Sequence, residues 1–534
     1  MENKNTIIAL VLMLAVWVGF SVLFPAEKPQ APLAPAQEQR AAVETEAVAA
    51  PVNPVASPVG FEDAGAVHPE RELVVETDHY LAIFTSSGAR LKSLALVGFR
   101  ASADTDSPPI SLIDAPSLDS ATLRTAGTEG FSLSSEANYA LSSAETQIRL
   151  SGQDSRQVVF STVTPGGLKA EKIYTFYGDR FQIDLQVRMT NGTGQILSGG
   201  VALSMVQPWE ESLKGSHYDF VGPATLVGEE IHTDDVEDLE EDGAVSYGKD
   251  LVWTGFETKY FMSAAVPLGD GAQGVRIQKT ADAVENILET PRRTLQAGEV
   301  GSFEYLIYFG PRDVAILKEV GHQLALAIDF GFFGVIARPL HTVLKFFYSF
   351  FGNYGVSIIL LTVIIKMLFW PLTQKSYTSM KEMQKLQPQM QKIREKFKND
   401  RDRLNREIMG LYKEHRVNPL GGCLPMLIQI PVFFALYKVL LGTIELRHAP
   451  FALWITDLSV KDPYYITPII MGATMFIQQK MTPSSMDPTQ AKMFMLMPVV
   501  FTFLFLNFPA GLVLYWLVNN LLTIAQQVMI HRKA

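Results

Sequence analysis

The chain has 534 residues, of which 48 % are hydrophobic and 19 % are charged, and its formal net charge is −10. Residues 1–330 hold 23 Lys and Arg against 45 Asp and Glu, whereas residues 331–534 hold 22 against 10. One cysteine, Cys423, excludes an intrachain disulfide, and the nine histidines show no HExxH motif or cysteine pairing that would indicate a zinc site. The acidic part suits a soluble domain, and the basic, apolar part suits a membrane domain.

The chain begins with an apolar run, residues 6–24, that is long enough to span a bilayer. A signal peptide would have a shorter apolar core and would end in small residues, but this run ends in Leu23-Phe24-Pro25. We therefore expect residues 1–24 to be an uncleaved transmembrane anchor. Residues 25–60 mix Ala, Pro, Glu and Gln with no hydrophobic period, which predicts a disordered linker.

Residues 61–325 are predicted to form an all-β domain. One pair of alternating runs meets at a turn over 86–88, and another meets at Gly178-Asp179. Short strands without intervening helical patterns favour an antiparallel β-sandwich. The acidic stretch 229–242 is predicted to be a solvated loop, because its spacing matches no EF-hand, although calcium binding is the alternative.

Residues 330–352 are predicted to form an interfacial amphipathic helix. Arg338, His341 and Lys345 are spaced i, i+3 and i+7, which places them on one face of a helix whose other positions are mostly apolar.

The remainder, residues 353–530, is predicted to be a core of five transmembrane helices. The spans are placed near 354–373, 421–442, 464–481, 493–508 and 510–528. Between the first two, residues 374–418 hold twelve basic and six acidic residues, with apolar residues at alternating three- and four-residue spacing. This pattern predicts a helical hairpin in water.

The charge distribution predicts the topology. The basic hairpin, residues 480–492 and the C-terminal end should be cytoplasmic, whereas the loop 443–463 has only Arg447 and Lys461 and should face outward. Six crossings then place both termini in the cytoplasm and the β domain outside the cytoplasmic membrane, in the periplasm of a cell with an outer membrane.

Lys366 interrupts the apolar segment 355–372. A lysine at the bilayer centre costs about 2.5–3.5 kcal/mol on insertion scales, although its side chain could instead snorkel to the interface. Thr362 lies one turn earlier, and Gln429, Asn519 and Asn520 lie within other spans. Each could simply bond between helices. No acid within the spans can neutralise Lys366, so we expect a wet concavity that opens to the cytoplasm.

The spans lack the parts of a transporter or an enzyme. They hold no coupling acid, no Ser/His/Asp set and no metal cluster, and the chain contains no GxxxxGK[ST] nucleotide motif. A wet, positively charged groove could instead hold a short polar segment of a polypeptide while its apolar neighbour meets lipid.

Three segments resemble the YidC family of membrane protein insertases, which includes mitochondrial and chloroplast members. They are "NPLGGCLPMLIQIPVFFALYKVL" (418–440), "APFALWITDLSVKDPYYITPIIMGATMF" (449–476) and "FPAGLVLYWLVNNLLTIAQQ" (508–527). The resemblance is dense over 330–530, and the order of anchor, linker, large domain and five-span core is similar to the Gram-negative form.

The resemblance implies a groove open to cytoplasm and lipid, and a β-supersandwich similar to sugar mutarotases. Thr362, Lys366, Gln429, Trp516 and Asn519 would form the substrate groove. The substrate exit surface would comprise Ile430, Phe433, Phe503 and Tyr515. The family's usual residue at position 366 is arginine, and lysine keeps the charge without the planar five-donor fork. Bidentate capture of a substrate carboxylate is therefore not expected.

We thus expect a multi-domain protein of the cell inner membrane. It would combine an α-helical bundle of six transmembrane spans, a periplasmic all-β supersandwich and a cytoplasmic helical hairpin. It would be an insertase and chaperone, not an enzyme, with no catalytic residue, cofactor or metal. Implied partners are nascent membrane proteins, the lipid bilayer, the Sec translocon with its accessory subunits and, less strongly, the ribosome and the signal-recognition receptor, with no specific nucleic-acid sequence. The alternatives are a secondary transporter and a periplasmic carbohydrate-binding or carbohydrate-active protein.

Overall fold

The structure is a computed structural model that describes residues 68–104, 106–214, 220–269, 271–397, 400–415, 424–482 and 488–532. The predicted anchor 1–24 and linker 25–60 lie outside the described residues.

The first part of the described chain is built from strands. They are β1 (Glu72–Glu76), β2 (Tyr80–Thr85), β3 (Arg90–Arg100), β4 (Pro109–Asp114), β5 (Arg124–Glu129), β6 (Ala140–Leu141), β7 (Gln147–Arg149), β8 (Ser155–Val163), β9 (Leu168–Tyr177), β10 (Gln182–Asn191), β11 (Leu197–Pro208), β12 (Gly222–Val227), β13 (Glu230–Thr233), β14 (Val245–Tyr247), β15 (Leu251–Glu257), β16 (Phe261–Leu268), β17 (Gly274–Lys279), β18 (Ala283–Glu289), β19 (Arg293–Leu295) and β20 (Val300–Pro311).

The described strands form three sheets. Their orders are β4-β3-β2-β1-β7, β13-β12-β15-β16-β20-β10-β9-β8-β6, and β14-β17-β18-β11-β19 with β5 also on β11. The pairs are antiparallel except for β1 with β7. The structure therefore confirms a sheet-rich domain in this part of the chain.

Alternating side chains explain how these strands build a core. In β10, every second residue is buried, as expected for a strand with one face on a core. β9 and β10 form the hairpin that the turn at Gly178-Asp179 predicts, with Phe176 opposite Ile183. β2 and β3 form the other predicted hairpin, in which Gly88 adopts φ +71°, a conformation that glycine tolerates best.

The acidic stretch 229–242 is more ordered than the sequence suggests. It contains β13 and a short helix, α1 (Val236–Glu241), so the prediction of a loop is wrong for most of its length, although most of its acidic side chains are exposed as predicted. Asp235 accepts a hydrogen bond from the backbone N–H of Glu237 and caps this helix, and Val236 and Leu239 are buried. A good N-cap and two apolar residues at i, i+3 outweigh the local charge repulsion.

The second part of the described chain is helical. Its helices are α2 (Val314–Val320), α3 (Gly334–Phe351), α4 (Tyr354–Lys385), α5 (Gln387–Lys396), α6 (Arg401–Glu414), α7 (Leu424–Gly442), α8 (Ile466–Met481), α9 (Pro488–Phe505) and α10 (Ala510–Arg532). Among the described residues, α4 and residues 510–530 of α10 are long and apolar enough to cross a membrane. Shorter apolar helical stretches lie at 429–442 and 495–505.

The helical hairpin differs from its predicted bounds at one end. α4 continues through Pro371 to Lys385, so the first part of the predicted hairpin 374–418 is one helix with the preceding span. α5 and α6 then fold back on each other. Together with the end of α4, they bury Met383, Leu386, Met390, Leu411 and Tyr412, with Ile393 and Ile408 partly buried. Most of the apolar positions in the predicted repeat therefore meet in one small core.

Two of the three basic residues predicted to share one face of α3 contact other parts of the protein. His341 Nε2 lies 3.4 Å from Oε1 of Glu445, and Lys345 Nζ lies 2.8 Å from the same oxygen. Arg338 is exposed. Lys345 also lies 3.7 Å from Asp313, which caps α2. Glu445 and Lys345 thus connect the loop after α7 with α3 and the end of the β domain.

A second contact joins the loop after α7 to the β domain. Arg447 Nη2 donates to the carbonyl of Arg100 at 2.6 Å and to that of Ala101 at 3.2 Å. The same loop pairs with the α9–α10 turn through the bridge between Lys461 and Pro509. The β domain, the loop 443–463 and the α9–α10 turn therefore lie at one end of the helical part.

Candidate functional site

Lys366 is the central residue of the candidate site, and its side chain is only 9 % exposed. Its Nζ donates a hydrogen bond of 2.6 Å to Oγ1 of Thr523 on α10. Thr523 in turn donates to the backbone carbonyl of Asn519 at 2.7 Å. No carboxylate of the described residues neutralises Lys366. The lysine is therefore held by a hydroxyl, which leaves its charge uncompensated in an apolar setting.

The partner of Lys366 belongs to a polar face on α10. This face consists of Asn519, Asn520, Thr523, Gln526 and Gln527, all of which are at most 8 % exposed. Gln526 Nε2 donates to Oγ1 of Thr373 on α4 at 2.9 Å, and Gln527 Nε2 donates to Oγ1 of Thr482 at 3.0 Å. Hydrogen bonds from Gln526 and Gln527 thus join this face to neighbouring segments, as is common where helices pack in membranes.

A small cavity lies beside Lys366. It is lined by residues of α4, α7 and α10: Ile365, Lys366, Phe369, Leu372, Thr373, Gln429, Val432 and Asn519. The space open to the centre of a water molecule is about 30 Å³. Since one water needs roughly 10–15 Å³ by this measure, the cavity suits about two waters. It is much smaller than a groove for a polypeptide segment.

The structure brings three of the five predicted groove residues together and places the other two apart. Lys366, Gln429 and Asn519 share the cavity. Thr362 is buried on α4, where its hydroxyl donates to the carbonyl of Ile358 at 2.6 Å. It is not among the residues that line the cavity. Trp516 lies one turn before Asn519 on α10 and packs against aromatic rings.

The Trp516 ring lies at the centre of an aromatic cluster. The ring of Phe433 meets it edge to face at 4.8 Å and 87°, and the ring of Phe505 lies 5.3 Å away. Such edge-to-face pairs stabilise packing beyond their buried area. The cluster links α7, α9 and α10 in one apolar core.

The four predicted exit residues differ in exposure. Phe503 is 69 % exposed and Ile430 is 43 % exposed, so both present apolar surface. Phe433 is partly buried against Trp516. Tyr515 is 1 % exposed, and its placement on an exit surface is therefore corrected: it is a core residue of the helical part.

Sequence reasoning missed Thr373, Thr523, Gln526 and Gln527. A signal for the last three was present, because 519, 520, 523, 526 and 527 follow the i, i+1, i+4, i+7, i+8 spacing of one helical face. Read together, they predict a continuous polar stripe on the last helix. Thr373 carries no such signal, since an isolated threonine near a helix end is usually bonded to its own backbone.

Among the described residues, no group of three or more His, Cys, Asp or Glu side chains is arranged to hold a metal ion. The chemistry available at the candidate site is a fixed positive charge, a set of neutral hydrogen-bonding groups and room for water.

Comparisons with known proteins cover both parts of the chain. The family model described as "60Kd inner membrane protein" matches residues 346–534, and the model described as "YidC periplasmic domain" matches residues 72–343. A membrane protein insertase YidC of Geobacter metallireducens is 46 % identical over 531 residues, which cover 99 % of this chain and 98 % of the relative. A YidC insertase of Citrifermentans bemidjiense is 45 % identical over 541 residues and 99 % of each chain.

A YidC insertase of Syntrophus aciditrophicus is 44 % identical over 547 residues, which cover 100 % of both chains. A crystal structure of an active YidC insertase aligns with 86 % of this chain and 92 % of its own, at 17 % identity and a TM-score of 0.37. The sequence matches, which extend over nearly the whole chain, carry the comparison.

Proposed function

The chain belongs to the YidC family of membrane protein insertases, and we propose that it inserts nascent proteins into the cytoplasmic membrane through a polar site around Lys366. The family's activity is insertion and not an enzymatic reaction. Nascent membrane proteins are accordingly the substrate class.

One observation carries the proposal: an uncompensated lysine buried between two apolar helices and bonded to Thr523 beside a water-sized cavity. A purely structural lysine at this depth would be costly, at about 2.5–3.5 kcal/mol near the bilayer centre. Its retention is explained if the charge attracts the polar, often acidic, segment of a substrate. The cavity would then be the closed form of the substrate groove.

The contacts at one end of the helical part support the proposed topology. The Arg447 side chain joins the loop 443–463 to the β domain, and the backbone of the loop at Lys461 pairs with the α9–α10 turn. All three therefore belong on one side of the membrane, which we take to be the periplasmic side. The basic helices α5 and α6 follow the opposite end of α4 and would lie in the cytoplasm. α4, α7, α8, α9 and α10, together with residues 6–24, would make six spans.

Opening the groove requires α4, α7 and α10 to separate near Lys366. The cavity holds only about two water molecules by the roughly 10–15 Å³ rule, so a polypeptide must displace side chains such as Gln429 and Asn519. The exposed apolar side chains of Ile430 and Phe503 would then offer a path toward lipid. The net step needs no nucleotide, because burying a span of about 20 apolar residues releases tens of kcal/mol.

Partners beyond the substrate follow from the same arrangement. The helical hairpin, with its basic exposed surface, would contact the ribosome or the signal-recognition receptor from the cytoplasm. The Sec translocon and its accessory subunits would be neighbours within the membrane. Neither contact is needed for short substrates in this proposal.

The test is reconstitution of the purified full chain as the only protein in liposomes. A cell-free system synthesises a single-span protein with a short acidic tail, and added protease reports whether the tail has crossed. We expect protection of the tail in these liposomes and none in empty ones. If the tail stays open to protease although the chain in the liposomes is properly folded, the proposal is contradicted.

The same liposomes test the transporter alternative. Flux of labelled solutes without insertion would favour a secondary transporter over an insertase. We expect insertion without solute flux.

A further inference from the structure

A second, larger cavity lies where the β domain meets α3 and the end of α7. Its volume is about 650 Å³, within the 300–1,000 Å³ typical of ligand sites. The β12–β13 turn and residues after β20 form one wall, and α3 with the last turn of α7 forms the other. It is separate from the Lys366 cavity and shares no residue with it.

Some of the charges in this cavity neutralise one another. Arg312 Nη2 lies 2.9 Å from Oε2 of Glu257, a side chain that is almost fully buried. Glu445 is paired with Lys345 and His341. These groups form the floor of the cavity and are not free to bind a charged ligand.

Two further charged side chains line the cavity: Lys259 on the β-domain wall, whose Nζ lies 5.2 Å from the centroid of the Tyr260 ring, and Asp329 on the connection to α3, which accepts a hydrogen bond from the backbone N–H of Gly331 at 2.7 Å. The other charges are divided between the two walls. Arg338 of α3 and Lys438 of α7 are exposed and form no ion pair with any carboxylate in the part of the chain that the structure describes. Glu229 and Glu230 are exposed on the opposite wall, at the β12–β13 turn. With Asp329 and Lys259 counted, the membrane side of the cavity still has a net basic rim and the β-domain side a net acidic rim.

The Lys438 side chain bends over the connection that leads into α3. A Cβ placed on Gly331 would lie 3.8 Å from the Cε of Lys438. Apolar surface borders the basic rim: Phe332 is 66 % exposed, Val335 is 87 % exposed, and Phe434 is 47 % exposed and stacked on Phe333. A ligand on this rim would have an anionic group next to hydrocarbon.

We propose that this cavity binds the headgroup of a phospholipid that carries a phosphate and a terminal primary ammonium, a phosphoethanolamine lipid. The phosphate would accept hydrogen bonds from Arg338 and Lys438, and the ammonium would donate to Glu229 and Glu230. The acyl chains would lie along Phe332, Val335 and Phe434. The inference rests on the proposed function, because the proposed topology places α3 at the periplasmic surface of the cytoplasmic membrane.

The order of the charges favours this lipid class over others. In a bilayer, the phosphate lies nearer the hydrocarbon and the ammonium lies farther out, which matches a basic rim on the membrane side and an acidic rim beyond it. A phosphoglycerol headgroup would satisfy the basic rim but would bring no cation to the two glutamates. A trimethylammonium headgroup has no N–H to donate to them.

The test measures which lipids the purified full chain retains. Nanodiscs of phosphatidylcholine contain equal small amounts of phosphatidylethanolamine and phosphatidylglycerol, and mass spectrometry counts the lipids that remain after gentle delipidation. We expect about tenfold preference for phosphatidylethanolamine, a ratio equal to ~1.4 kcal/mol. Equal retention of the two lipids would overturn the proposal.

Substitutions at the two rims test whether their side chains bind the lipid. Arg338→Gln with Lys438→Gln should lose retention of both phospholipids, whereas Glu229→Lys with Glu230→Lys should shift the preference toward phosphatidylglycerol. Arg180→Gln with Lys461→Gln removes the same two residue types from positions outside the cavity and should change nothing. An unchanged preference in both rim variants would overturn the site. All six side chains are exposed, so folding should be preserved.

Two further measurements distinguish a lipid from other ligands, and distinguish failure of this site from failure of the proposed function. Displacement of the lipid by millimolar soluble phosphoethanolamine, or by a basic peptide, would show that a lipid is not the ligand and would overturn the proposal. Insertion is measured with the same preparations. Loss of lipid preference with normal insertion in the rim variants supports the site, while a wild-type chain that retains the lipid but inserts nothing contradicts only the proposed function.

Discussion

Lys366 on α4 and Thr523 on α10 are joined by a 2.6 Å hydrogen bond that connects the two long apolar helices across the candidate site. The Thr523 hydroxyl in turn donates to the backbone carbonyl of Asn519 on its own helix. The bond fixes the ammonium beside the cavity instead of letting it extend along α4 toward an interface.

Thr523→Val removes the acceptor of the lysine while keeping the shape of the side chain. A buried donor that loses its partner costs about 1–3 kcal/mol, so we expect a lower thermal midpoint for the purified chain and weaker insertion. Thr523→Ser retains the hydroxyl and is the matched control. A midpoint for Thr523→Val equal to that of Thr523→Ser would show that the bond contributes nothing.

Glu445 should make the stability of the chain depend on pH. Burial would raise the pKa of Glu445, but hydrogen bonds from His341 and Lys345 and the charge of Lys345 outweigh burial and lower the pKa to about 2. A carboxyl group whose pKa is lowered by folding stabilises the fold at pH values above its ordinary pKa of 4.5. This stabilisation is lost as the pH falls toward 2. Its full size is roughly 3 kcal/mol.

The measurement compares thermal midpoints of wild type and Glu445→Gln from pH 7 to pH 2. The difference should be largest above pH 4.5 and should shrink as pH falls. Glu319→Gln, an exposed glutamate on α2, should follow the wild type at every pH. A wild-type advantage that grows on acidification would contradict the assignment.

Arg447 should hold the loop 443–463 against the β domain. Arg447→Gln removes its donation to the carbonyl of Arg100 and its position over the Phe261 ring, 5.5 Å from the centroid. The loss of a charged hydrogen bond costs about 1–3 kcal/mol. We expect faster hydrogen–deuterium exchange at residues 98–104 in the full chain. Arg156→Gln, an exposed arginine near Glu145, is the control, and exchange that is equal in the two variants would rule out the connection.

The helical hairpin should depend on its small apolar core. Met390 is 3 % exposed in that core, whereas Met409 is 59 % exposed on α6. Met390→Ala should destabilise the hairpin by about 2–5 kcal/mol through lost burial and a cavity. Met409→Ala should have little effect. Limited proteolysis within 387–414 measures both, and equal resistance of the two variants would exclude the core from a role in the hairpin.

Sequence periodicity was sufficient to predict the strongly patterned elements. The hairpins β2–β3 and β9–β10 follow from alternation around a turn, and the hairpin core follows from three- and four-residue spacing. Helix ends were harder, because α4 runs past Pro371 to Lys385 where composition changes from apolar to charged. The helix backbone does not end where its hydrophobicity does.

Within the candidate site, the sequence identifies Lys366 because a lysine in an apolar run is conspicuous. It does not identify Thr523 as the partner, since threonine is compatible with any helix face. The pairing of Glu445 with α3 is equally invisible, because it joins residues about a hundred positions apart. The resemblance placed Tyr515 on an exit surface, but the tertiary packing of its neighbours buries it.

The most direct test of the account replaces Lys366 with Arg, Gln and Glu in cells depleted of their own insertase. A single-span protein with a short acidic tail reports insertion by protease accessibility. The account predicts that Arg supports insertion, whereas Gln and Glu fail, because the buried positive charge draws the substrate in. If Gln works as well as Lys, the charge does not act on the substrate, and the central claim is contradicted.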